Sequence, residues 1–151
     1  MKNFQDIDEV LQFAMNEEQK AVDFYTSLAK EARTEDMKKI FEQFAREEVG
    51  HKARLKRIKE EGSFTFDQGQ VADLKLGDYL VDVEPSPDMG YRDALVLAMK
   101  KEQAAQKLYT DLSELAPDGD MKKVFLDLAR EESKHKLRFE QEYDDYVLKE
   151  N

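Results

Sequence analysis

The sequence repeats itself. Shifted by 84 residues, positions 11–54 align with 95–138 without a gap, and 22 of the 44 aligned positions are identical. The repeat centres on Arg46-Glu47-Glu48-Val49-Gly50-His51 and its copy Arg130-Glu131-Glu132-Ser133-Lys134-His135. Each copy holds a Glu-x-x-His motif, which on a helix sets a carboxylate and an imidazole one turn apart on one face. Leu11/Leu95, Ala14/Ala98, Glu18/Glu102, Ala21/Ala105 and Tyr25/Tyr109 also match, as does the run Asp36-Met37-Lys38-Lys39 with Asp120-Met121-Lys122-Lys123. A repeat of this length fixes architecture before any local reading does: two similar halves related by a pseudo-two-fold.

Apolar periodicity makes each half a pair of helices. The first helix is expected from about Asp6 to Arg33, capped by Asp6 or Asp8, with the seam Leu11, Ala14, Glu18, Ala21, Tyr25, Leu28, Ala32. Its steps of three and four are those of packed bundles. Thr34 is placed to cap a second helix whose seam is Met37, Phe41, Phe44, Glu48, His51, Leu55, Ile58, with Gly62 as its stop. The third helix starts near Ser86–Tyr91, where Pro87 suits a first turn, and repeats the first seam as Leu95, Ala98, Glu102, Ala105, Tyr109, Leu112, Ala116. After Pro117-Asp118-Gly119 the fourth carries Met121, Phe125, Leu128, Glu132, His135, Phe139, and Tyr143 to Leu148 either continues it or frays. Met15, Met37, Met99 and Met121 read as core.

Short turns make each pair antiparallel neighbours. Between the pairs runs a connector of about 62–87, too long to be structureless in a compact domain. Residues 71–76 and 79–81 can pack a short element along the bundle. The expected fold is therefore all-α: one domain over residues 1–151, an antiparallel four-helix bundle with one long crossover between helices 2 and 3 and a two-fold internal repeat of about 6–61 and 88–146.

Several functions are disfavoured. A net charge of −10 opposes nucleic acid and anionic membrane surfaces as partners. No apolar run approaches the roughly 20 residues of a membrane span, and Met1-Lys2-Asn3-Phe4-Gln5-Asp6 has no signal-peptide core. With no Cys there is no disulfide, thiolate zinc site or cysteine-ligated iron centre. A reducing cytoplasm is the expected compartment.

The chemistry lies in the seam. Glu18, Glu48, His51, Glu102, Glu132 and His135 stand where apolar residues belong. Burying unpaired carboxylates is costly, so four of them need compensation. Glu18 lies 15 residues before Arg33 and Glu48 lies 14 after Thr34, and Glu102 and Glu132 stand likewise to Pro117 and Asp118. At about 1.5 Å per residue, all six groups fall in one layer roughly 21–23 Å from the turns. Two divalent cations would cancel the four negative charges. One Glu from each of two helices plus Glu-x-x-His from each of the other two is the inward-facing ligand set of di-iron and di-manganese carboxylate bundles. The plain alternatives are solvated glutamates and hydrogen-bonded core histidines, as in a metal-free interaction module. Tyr25 and Tyr109 read either as core or as hydrogen-bond donors to a bridging carboxylate, and Glu47 and Glu131 either as a solvated face or as partners orienting the histidines.

Ala14-x-x-x-Glu18-x-x-Ala21-x-x-Phe24-Tyr25 and Phe44-Ala45-Arg46-Glu47-Glu48-x-x-His51, with their repeats, resemble the rubrerythrin group of the ferritin-like superfamily over nearly the whole chain. The resemblance implies a ferritin-like bundle with two iron ions held by Glu18, Glu48, His51, Glu102, Glu132 and His135 (manganese or zinc being substitutes), a peroxidase or oxidase acting on peroxide or dioxygen, and a homodimer. Rubrerythrins also carry a ligand Glu one turn after the third-helix Glu, where this chain has Ala105, and a cysteine-ligated rubredoxin domain. Without Cys, the expectation is an external electron donor such as a rubredoxin-like protein. The alanines at 21 and 105 leave space for an oxidant beside two nearly equivalent metals, each expected to take one Glu-x-x-His pair and to share Glu18 and Glu102. The rival reading is a ferroxidase that sequesters iron without redox turnover.

Overall fold

The computed structural model describes residues 4, 6–62, 66–81, 83–86 and 88–150. Four long helices form two hairpins: α1 (Ile7–Lys30) with α2 (Glu35–Glu61), and α4 (Tyr91–Leu115) with α5 (Gly119–Glu150). The hairpins meet along α1 and α4. Among the described residues there is no strand, and no helix is long and apolar enough to cross a membrane.

Local chemistry sets the ends. The Glu9 N–H donates to Asp6 Oδ1 at 2.9 Å, which selects Asp6 over Asp8 as the cap of α1. The repeat carries over to the other caps: Thr34 accepts from the Met37 N–H (3.1 Å) and Asp118 from the Met121 N–H (2.8 Å). Gly62 ends α2 at φ 54°, a left-handed turn that costs glycine least. Ala116 is extended, as the residue before a proline tends to be, and α4 stops there. One boundary differs from expectation: α1 ends at Lys30 rather than Arg33. Of the two readings of the tail, continuation holds, since α5 runs unbroken through Tyr143 to Glu150. Pro87 lies outside the described residues; α4 starts at Tyr91 behind Gly90.

Arg33, just past the end of α1, takes part in a buried contact with α5. Glu142, buried at 1% exposure, accepts from Arg33 Nε (3.1 Å) and Nη2 (2.9 Å) and from the Tyr91 hydroxyl (2.7 Å). Arg33 reaches it from the turn after α1, and Tyr91 from the first residue of α4. Glu142 is three residues beyond Phe139, so it extends the seam of α5. Replacing Arg33 by Met should leave this buried carboxylate with Tyr91 alone and cost about 2 kcal/mol. Urea denaturation should read this cost, and the double variant with Glu142→Leu should regain most of it.

The crossover is built rather than loose. Among the described residues it forms α3 (Gln68–Ala72) and a 3-10 turn (Leu76–Asp78), and it buries Phe66, Val71 and Tyr79 in a cluster with residues of all four long helices. The core is split in two. One apolar cluster holds Leu11, Leu55, Leu112 and Phe125; the other holds Leu28, Phe41, Leu95 and Phe139. Between them, at mid-height, sits a polar layer.

Candidate metal centre

That layer is made of Glu18, Glu48, His51, Glu102, Glu132 and His135, all at most 2% exposed. The helices place one Glu each from α1 and α4 and a Glu–His pair each from α2 and α5, so the six predicted residues converge. His51 Nδ1 lies 2.9 Å from Glu48 Oε1, 3.1 Å from Glu132 Oε1 and 3.4 Å from Glu18 Oε2. His135 Nδ1 lies 3.6 Å from Glu48 Oε1, 3.6 Å from Glu102 Oε1 and 3.7 Å from Glu132 Oε1. Two overlapping groups result, Glu18–Glu48–His51–Glu132 and Glu48–Glu102–Glu132–His135, and in each the donor atoms lie within 4.8 Å of one another. The carboxylates common to both are Glu48 and Glu132. The repeat had suggested Glu18 and Glu102, but the centres of α2 and α5 hold their carboxylates between the two histidines.

Each of the six residues also has a buried oxygen or nitrogen in the layer with no hydrogen-bond partner: Glu18 Oε2, Glu48 Oε1, His51 Nδ1, Glu102 Oε2, Glu132 Oε1 and His135 Nδ1; His51 Nε2, on the outer edge of its ring, is unpartnered as well. Orphaned buried polar atoms are rare. Six converging on one layer fit a pair of cations, and oxygen with imidazole suits iron or manganese.

The electrostatics of the bare layer show the same strain. Burial, then the charges of Glu18 and Glu102, push Glu48 up to about 8. Burial, then the neighbouring carboxylates, raises Glu132 well above its ordinary value. Burial also raises Glu102, against the pull of His135. For the histidines burial opposes the charge, yet Glu18 and Glu48 outweigh it and hold His51 at about 10. Glu102 and Glu48 do the same for His135 at about 9. With these groups raised in this way, the bare layer holds protons that a cation would have to displace.

The surrounding residues cross between halves, which spacing along one chain does not reveal. Tyr109 donates to Glu18 Oε1 at 2.7 Å and Tyr25 donates to Glu102 Oε1. Both tyrosines thus hold Glu18 and Glu102, the carboxylates that the repeat had cast as shared and that here belong to one ligand group each. Glu47 reaches His135 Nε2 at 3.1 Å rather than the neighbouring His51. Glu131 stands 3.6 Å from His51 Nε2 and is gripped by Arg54 at 2.9 Å. Here the halves differ. Arg138, the repeat counterpart of Arg54, donates instead to Met37 Sδ, and Phe44 stacks on His135 at 4.0 Å, where its counterpart for His51 is Leu128. The two groups are similar but not equivalent.

The rubrerythrin family model matches residues 9–74 and 93–151. The chain belongs to the rubrerythrin family. Its fold is also similar to that of a hypothetical protein from Pyrococcus furiosus, at 26% identity and a TM-score of 0.71 over 92% of this chain and 89% of that one. No curated protein matches the chain. Membership in this family and the buried acidic and histidine cluster suggest a di-metal carboxylate protein, consistent with the helical bundle.

Proposed function

We propose that this rubrerythrin-family chain is a non-haem di-iron oxidoreductase that reduces peroxide or dioxygen at the expense of Fe(II). The observation that carries the reading is the pair of four-residue groups sharing Glu48 and Glu132, with six unpartnered atoms facing inward. His51 and Glu18 would hold one iron, His135 and Glu102 the other, with Glu48 and Glu132 touching both. When bound, two Fe(II) ions supply the two electrons that, with two protons, take hydrogen peroxide to two waters.

The protein's own part is to position and to keep protons. Burial, then Glu102, keeps the Tyr25 hydroxyl protonated; burial, then Glu18, does so for Tyr109. Each fixes the orientation of one unshared carboxylate, so that its second oxygen faces inward. Glu47 holds the outer edge of the His135 imidazole and leaves its Nδ1 turned to the layer, while Glu131 stands beside His51 Nε2 at 3.6 Å without a hydrogen bond. Two apolar clusters above and below exclude bulk water.

Electrons would come from a separate donor such as a rubredoxin-like protein, in a reducing cytoplasm, and the proposed assembly is a homodimer. Anaerobic titration with Fe(II) should saturate near two ions per chain, followed by oxidation on adding peroxide. Saturation near one or none would overturn the two-site reading. Iron retained as a mineral in a large hollow assembly on gel filtration would favour sequestration instead.

A further inference from the structure

A cavity of about 30 Å³ reaches the layer between α1 and α4. Glu18, Glu48, Glu102 and Glu132 line it, and neither histidine does. A single water needs roughly 10–15 Å³, so only small bodies fit at the carboxylates. Its walls are short because Ala21 and Ala105 stand one turn beyond Glu18 and Glu102. Any larger side chain there would fill it.

The crossover forms the roof. Tyr79 and Val81 line the cavity from above, while Glu17 and Lys101 flank it from α1 and α4. Tyr79 is not loosely placed. Its ring is 4% exposed, and its hydroxyl donates to Asp111 Oδ2 at 2.7 Å. Lys107 bonds the same oxygen at 3.0 Å and lies 5.3 Å from the centre of the Tyr79 ring. The crossover is therefore fastened to α4 beside the place where it covers the carboxylates.

We propose that the crossover segment at Tyr79 and Val81 is the size filter of the site, admitting hydrogen peroxide or dioxygen to the carboxylate face and excluding alkyl hydroperoxides. The inference rests on the di-iron reading above. For either peroxide the O–O bond takes two electrons from two Fe(II) ions and two protons; hydrogen peroxide leaves as two waters, an alkyl hydroperoxide as an alcohol and a water. The chemistry is equivalent, so any discrimination is steric. The four carbons of tert-butyl hydroperoxide exceed the cavity. To enter, the molecule must lift the crossover, break the Tyr79–Asp111 bond and uncover a buried ring.

The test starts from protein loaded anaerobically with Fe(II) and assayed for metal. Stopped-flow absorbance then follows oxidation by hydrogen peroxide and by tert-butyl hydroperoxide. The first should be faster by roughly a hundredfold or more, the scale on which pockets reject misfitting carbons. Tyr79→Phe, which keeps the ring and frees it from Asp111, and Val81→Ala, which thins the roof, should each lower that ratio roughly tenfold. A second readout involves no turnover: azide binding to the diferric protein, followed by its visible absorption, should be faster in both variants. Equal rates for the two peroxides in iron-loaded wild type would overturn the filter, as would variants that change neither the ratio nor the azide rate. Protein that binds no iron overturns the di-iron reading itself, and the metal assay reports this before any peroxide is added.

Discussion

Loading the apoprotein with excess Fe(II) or Mn(II) should raise its melting temperature by roughly 10 °C near pH 8, and by much less near pH 5. A ligand that binds only the folded state, present at a thousandfold its dissociation constant, stabilises it by about 4 kcal/mol. In a chain of this size that is worth roughly 8–16 °C. The pH dependence has two sources with the same sign. In the apoprotein, His51 (about 10), His135 (about 9) and Glu48 (about 8) all hold protons more tightly than in the unfolded chain. A group raised on folding contributes stability below its unfolded value and loses it as pH rises through the folded one. The Glu48 contribution therefore fades from about 4.5 to about 8, and that of His51 from 6.5 to about 10. The apoprotein should weaken across this span. Metal competes with the same protons, so its affinity rises with pH. The gap between loaded and bare protein must then widen from pH 5 to pH 8. Calorimetric scans at both values would show it. A gap that is absent, or that narrows with pH, would mean that the buried carboxylates do not take up metal.

Much of this site is legible in the sequence because it follows from periodicity. The offset of 84 residues, the seam steps and the equal distances from Glu18 and Glu48 to their turn place six polar side chains at one height, and the helices put them there. What spacing along one helix cannot give is which residue meets which across helices. The pairing of Tyr25 with Glu102, Tyr109 with Glu18 and Glu47 with His135 depends on how two hairpins dock. Docking also decides that Glu48 and Glu132, rather than Glu18 and Glu102, stand between the histidines. The same limit hid Glu142: it continues the α5 seam at the next step, but its partners Arg33 and Tyr91 come from distant stretches. The length of the crossover and its apolar residues in 71–76 and 79–81 indicated a packed element. They gave no sign that Tyr79 and Val81 would cover the carboxylates, because that follows from the Asp111 and Lys107 side chains one turn apart on α4. The surroundings of the two halves differ for a similar reason, since Arg54 and Arg138 occupy matching positions and find different partners.

Removing a shared carboxylate should cost both metal sites, whereas removing an unshared one should cost a single site. Glu48 and Glu132 belong to both ligand groups; Glu18 belongs to the His51 group and Glu102 to the His135 group. Glu48→Gln or Glu132→Gln keeps the side-chain shape but withdraws a charged oxygen from each group. Losing even a supporting partner of a ligand weakens metal binding by roughly 10–100-fold, so loss of a direct ligand should reach at least the upper figure at both sites. Calorimetric titration should then find little uptake at metal concentrations that saturate the wild type. Glu18→Gln should instead retain one ion, held by Glu48, Glu102, Glu132 and His135, and Glu102→Gln should retain one beside His51. The bare variants separate metal loss from unfolding. Burial and three neighbouring carboxylates already press Glu132 towards its neutral form, so a neutral amide there should leave the apoprotein at least as stable as the wild type near pH 8. The reverse pattern, with one ion lost on changing Glu48 and two on changing Glu18, would place the shared carboxylates on α1 and α4. In that case the geometry of the bare layer would not survive metal binding.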